Sequence, residues 1–92
     1  MPTEQSTRRT LRTTELTETT AALNRHLDAA LSKNGYGAFV SRHELLGALT
    51  EEYHEALDAL HSEPPGIVRG ELLDIAVACL FGVASLDARA FR

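Results

Sequence analysis

The stretch from Ile75 to Leu86 runs twelve residues between Asp74 and Asp87 without a charge, and it restricts the fold more than any other feature of the chain. Twelve residues are too few to span a bilayer as a helix. Leu72, Leu73, Ile75, Ala76, Val77, Leu80, Phe81, Val83, Ala84 and Leu86 would cover nearly the whole circumference of one helix. β-Branched residues make a strand conceivable, but the length and the alanines favour a helix from about Pro65–Ile67 to Asp87 or Ala88. A helix apolar all round must be covered on all sides. The rest of a 92-residue chain offers too little to cover it. A second protomer is therefore expected, and at least a dimer.

Two further helices precede it. Leu16, Leu23, Leu27, Ala30 and Leu31 share one face at spacings of three, four and seven, which predicts a helix over about 14–33. Thr13 or Thr14 is the expected cap, Glu15 and Glu18 suit the positive end of the dipole, and Asn34-Gly35 is the stop. Ser41-Arg42-His43-Glu44 has the form of a capping box, and Val40 and Leu45 are spaced for a hydrophobic staple. Leu45, Leu46, Leu49, Tyr53, Ala56, Leu57 and Leu60 continue that helix until Ser62-Glu63-Pro64-Pro65-Gly66 ends it. No strand pattern or repeat occurs. The expected fold is all-α, an antiparallel bundle of about three helices over 14–92, completed by oligomerisation, with 1–13 as a disordered, arginine-containing tail.

Composition narrows the partners. A net charge of −4 with Lys33 as the single lysine argues against a duplex nucleic-acid surface. One cysteine excludes an intrachain disulfide framework. A polar N-terminus without an apolar core reads as no signal peptide, so a soluble cytoplasmic protein away from membranes is expected. Cys79, inside the apolar run, reads as a small core residue rather than a nucleophile.

The acids are unevenly placed. Glu52 and Glu55 share a face of the second helix, and Glu71 and Asp74 share a face of the third. A short turn makes these helices antiparallel, and the two pairs lie about two turns either side of it. The four carboxylates therefore come to the same height and can face one another. On a facing surface they repel unless protonated or bound to cations. An all-oxygen set suits Mg²⁺ or Mn²⁺ rather than zinc or copper, and Mg²⁺ held by carboxylates points to phosphoryl chemistry. Acids three apart are also common on plain solvated helix faces. Glu51-x-x-His54 is half of a di-iron bundle motif, but the third helix offers Glu-x-x-Asp where a second Glu-x-x-His is needed.

Glu51-Glu52-Tyr53-His54-Glu55, then after a gap of fifteen Glu71-Leu72-Leu73-Asp74, has the form EExxE…ExxD. It resembles the signature of the MazG-like, all-α nucleoside triphosphate pyrophosphohydrolase superfamily. Leu49-Thr50 before it, Gly70 and Ile75-Ala76-Val77 around its second half, and the lead-in Ala38 to Glu44 add to the likeness. The resemblance covers roughly Tyr36 to Leu86. It implies Mg²⁺-dependent hydrolysis of a nucleoside or deoxynucleoside triphosphate to monophosphate and pyrophosphate by a dimer or tetramer. It implies metal ligation by Glu52, Glu55, Glu71 and Asp74, with Glu51 orienting a ligand or water or serving as base. Family members often continue into a helix with phosphate-holding basic residues; here Arg89 and Arg92 stand near the C-terminus.

Lys33 and the loop Asn34–Phe39 precede the second helix and supply candidate substrate contacts, Lys33 for phosphate and Tyr36 or Phe39 for stacking on a base, and His43 in the first turn of that helix is a further phosphate candidate. Each also has a plainer reading, as a solvated helix end, a surface histidine or a packing aromatic. His26 and His61 read as surface residues. Two other functions remain open on these residues: a catalytically silent nucleotide-binding or protein-interaction bundle, and a helical dimerisation domain whose acids only solubilise it.

Overall fold

A computed structural model describes residues 8–92. It contains three helices, α1 Thr13–Asn34, α2 Arg42–Ser62 and α3 Pro65–Asp87, and no strand among the described residues. The expected all-α fold and the three helix ranges are found. Of the expected tail, 1–7 lie outside the described residues. Arg9 and Arg12 are tied to the first turn of α1 through Glu15, at 3.0 and 3.1 Å.

The helix ends follow from local chemistry, with two corrections. The cap of α1 is Arg12, not Thr13 or Thr14: the Glu15 carboxylate accepts the Arg12 backbone N–H at 3.1 Å, so the charged side chain outcompetes the threonine hydroxyls. At α2, Ser41 Oγ accepts the Glu44 N–H at 3.1 Å as expected, but Glu44 reaches back to the Val40 N–H at 3.3 Å rather than to the cap residue. Val40 is 70% exposed, while Leu45 packs onto Gly82 of α3, where its Cδ1 lies 2.9 Å from the position a Cβ would take. α1 stops at Gly35, whose φ of +83° suits a residue without Cβ and whose N–H closes onto Leu31 at 2.8 Å. Pro64 is the cap of α3 and Pro65 its first residue, where a missing N–H costs nothing.

Because the apolar residues of α3 encircle it, the other helices pack against it and not against each other: α3 touches both α1 and α2. The buried residues among those described are small, namely Ala22, Ala56, Ala59, Gly82 and Ser85. Among the described residues no large side chain is fully buried. The Ser85 hydroxyl fixes the α1–α2 loop by accepting the Phe39 N–H at 3.2 Å, and Phe39 meets Phe81 edge-on at 5.7 Å between ring centroids. Cys79, expected in the core, is exposed, since α1 and α2 leave one side of α3 uncovered. No helix among the described residues is long and apolar enough to cross a membrane.

The cap of α2 should matter to the whole fold, because α2 holds half of the acids. Ser41→Ala is expected to cost about 1 kcal/mol and lower Tm by roughly 4–8 °C, read from the thermal loss of helical circular dichroism.

Candidate metal centre

The heights of the acids are set by the turn. Glu55 and Glu71 each lie eight residues from Glu63, and Glu52 and Asp74 each lie eleven. Antiparallel packing of α2 on α3 therefore brings Glu55 opposite Glu71 and Glu52 opposite Asp74. Glu52, Glu55 and Glu71 each direct a carboxylate oxygen into one group, all within 4.8 Å of one another. Asp74 is outside this group of three, though its charge acts on both Glu52 and Glu71. Its Oδ1 meets His26 Nε2 of α1 at 2.5 Å, with both side chains partly exposed.

Like charges so close alter their own titration. Burial raises the Glu52 carboxyl above the usual carboxylate range, and repulsion from Glu55, Asp74, Glu71 and Glu51 raises it further. The Glu71 carboxyl is raised in the same way, by burial first, then by Glu55 and Asp74, with a Glu55 hydrogen bond adding to the effect. One oxygen of Glu52 and one of Glu71 are shut off from solvent without a hydrogen-bond partner. Such atoms call for a proton or a cation.

A cavity of about 350 Å³ opens beside the group, between α1, α3 and the loop. Its walls include Leu27, Leu31, Val77, Phe39 and Phe81, with His26, Glu52 and Asp74 as the titratable groups. The volume lies within the range of small-molecule sites.

Of the substrate-contact candidates, Phe39 lines this cavity. Lys33 and His43 are exposed, Tyr36 is 79% exposed, and none of the three is on its wall. Tyr36 alternates in the extended loop with Gly35, Gly37 and Phe39, which line the wall, whereas Lys33 and His43 lie on exposed faces of α1 and α2. Glu51 is exposed and outside the three-carboxylate group, acting on it only through its charge. His26, read above as a surface residue, is half-buried against Asp74. The signal for it was present: His26 lies three residues after Leu23 and four before Ala30, on the apolar face of α1.

Comparison of the chain with known protein families, characterised proteins and solved structures finds no match.

Proposed function

We propose that this protein binds Mg²⁺ or Mn²⁺ and hydrolyses a nucleoside triphosphate between its α and β phosphates, releasing the monophosphate and pyrophosphate. The observation that carries the reading is the convergence of Glu52, Glu55 and Glu71 within 4.8 Å, with two of their oxygens buried and unpartnered. An all-carboxylate donor set suits a hard divalent cation, and the orphaned oxygens are the atoms such an ion would satisfy. Glu52, Glu55 and Glu71 would hold it, and Asp74 would join them from the next turn of α3. When bound, the ion supplies charge neutralisation at the phosphate oxygens and acidifies water.

The chain's own side chains have distinct tasks in this reading. Phe39 and Phe81 offer aromatic surface to a base, and Leu27, Leu31 and Val77 keep water from that part of the cavity. His26 holds the Asp74 carboxylate beside Glu52. Glu51, exposed next to the group, is the candidate to accept the proton lost when water attacks phosphorus. The EExxE…ExxD resemblance adds support from the sequence.

Incubating the purified protein with a panel of ribo- and deoxyribonucleoside triphosphates and Mg²⁺ tests this. Equal amounts of monophosphate and pyrophosphate are expected for at least one of them; absence of pyrophosphate throughout contradicts the enzymatic reading. The His26–Asp74 contact, which engages one of the four acids, favours a second reading: a bundle that binds nucleotide without turnover. Thermal stabilisation by a triphosphate with no product would select it.

A further inference from the structure

We propose that the cleft between the N-terminal halves of α1 and α3 binds a single-chain amphiphile with a zwitterionic head group, of the alkylphosphocholine or lysophospholipid kind. The two helices run side by side in the same direction, since His26 of α1 meets Asp74 of α3 and Leu31 shares a cavity with Phe81 further along. A second cleft, of about 590 Å³, has Leu23 of α1 on one wall and Leu72, Leu73 and Ala76 of α3 on the other. The volume suits a small molecule. Leu72 and Ala76 each stand two residues from Asp74, about 160° around α3 from it. The cleft therefore opens on the other side of α3 from the carboxylate group, and its occupancy is independent of the chemistry proposed there.

The body of the ligand follows from what the cleft cannot bond. Its two hydroxyl protons are spent: Thr19 Oγ1 donates to the Glu15 carbonyl and Thr20 Oγ1 to the Leu16 carbonyl, each at 2.9 Å within α1. The side chains of Leu23, Val68, Leu72, Leu73 and Ala76 carry no donor or acceptor. A sugar, a base or an amide leaves its polar groups unmatched on these walls, whereas an alkyl chain has none to match. From Pro65 to Ala76 the α3 wall advances eleven residues, about 16 Å. An extended chain of about ten carbons is roughly 12 Å long, which leaves room for a head group at one end.

The head follows from the charges. Arg69 and Glu63 are the charged residues of the cleft, both toward the α2–α3 turn. Both are exposed, and neither has an ion-pair partner among the described residues, the other included. A purely anionic head is attracted by Arg69 and repelled by Glu63, and a purely cationic head meets the reverse. A head with both signs, as in phosphocholine, gives its phosphate to Arg69 and its ammonium to Glu63. A guanidinium fork matches phosphate oxygens in geometry as well as charge.

Calorimetric titration of the unmodified chain with decylphosphocholine, kept below its micelle concentration, is expected to show saturable binding of one molecule per chain. Phosphocholine without the alkyl chain should not bind, and decanoate and decyltrimethylammonium should each bind more weakly. Leu72 is 47% exposed, so Leu72→Gln should keep the fold, checked by circular dichroism, and weaken binding about tenfold. Arg69→Gln should weaken it by up to about fivefold, the range of an exposed ion pair. Glu63→Gln should weaken decylphosphocholine by a similar factor yet strengthen decanoate, a reversal that general adsorption to exposed apolar residues does not produce. Absence of saturable binding overturns the proposal, as does binding that Leu72→Gln leaves unchanged or that is equal for the three head groups. Should Leu72→Gln fail to fold, the two charge variants decide.

Discussion

Glu55→Gln is expected to reduce pyrophosphate release by about two to three orders of magnitude while leaving the protein folded and slightly more stable. The first half follows from the place of Glu55 in the carboxylate group, where its charge faces both Glu52 and Glu71. Removing one preorganised charged group from a site of this kind typically costs about 10²–10³ in rate. The second half has the opposite sign because the same charge is a burden without a cation. Its repulsion helps to raise the Glu52 and Glu71 carboxyls, and glutamine keeps the shape without it. Relief of like-charge contacts at this spacing is worth a few tenths of a kcal/mol, roughly 1–3 °C in Tm. A residue needed only for packing would lose stability on substitution, so a fall in both activity and Tm would argue against this role. Product assay and thermal denaturation on the same preparation separate the two.

The second large effect is the coupling of stability to pH and Mg²⁺. Glu52 and Glu71 titrate above the ordinary carboxylate value of 4.5 in the folded protein. From about that value up to their raised ones, the folded state holds protons that the unfolded chain has released. Their contribution to stability is complete below the unfolded value and is lost as pH rises through the folded values. Without metal, Tm should therefore fall from acidic toward neutral pH on account of this group. Divalent cation reverses the trend by taking the protons' place. At neutral pH and ten times its Kd, Mg²⁺ should stabilise by about 1.4 kcal/mol, roughly 6–11 °C in Tm, and by less at acidic pH, where protons compete for the same oxygens. Other groups also titrate, so Glu52→Gln and Glu71→Gln are the controls. In each, the pH slope should flatten and the Mg²⁺ effect shrink. An equal Mg²⁺ response in both variants would place the cation elsewhere.

Much of this architecture was legible in the residues because it is locally encoded. Ser41 with Glu44, Gly35, and the Pro64-Pro65 break mark helix ends by chemistry that needs no tertiary context, and the ranges followed within a residue or two. The meeting of Glu52, Glu55 and Glu71 was legible as well, since two acid pairs at equal distances from a tight antiparallel turn must share a height. What the sequence did not show depends on how α1 sits. Nothing local states that α1 packs on α3 and not on α2, and hence that His26 reaches Asp74. The exposure of Cys79 is hidden in the sequence for a related reason. An apolar run does not reveal which of its sides the chain itself covers, and Cys79 lies on a side that is left exposed. Tyr36 misses the cavity because the extended loop alternates its residues and turns Phe39 inward, while Lys33 and His43 stand on exposed faces of α1 and α2.

The fold was thus encoded mostly by start and stop signals, and the site by register across one turn. Both lead to carboxylates whose buried oxygens lack partners. The most direct measurement is a calorimetric titration of the metal-free protein with Mn²⁺ at neutral pH, repeated on Glu55→Gln and Glu71→Gln. Saturable binding in the unaltered chain, weakened at least about tenfold in each variant, is the predicted result. Absence of saturable binding, or binding that both substitutions leave unchanged, would contradict it.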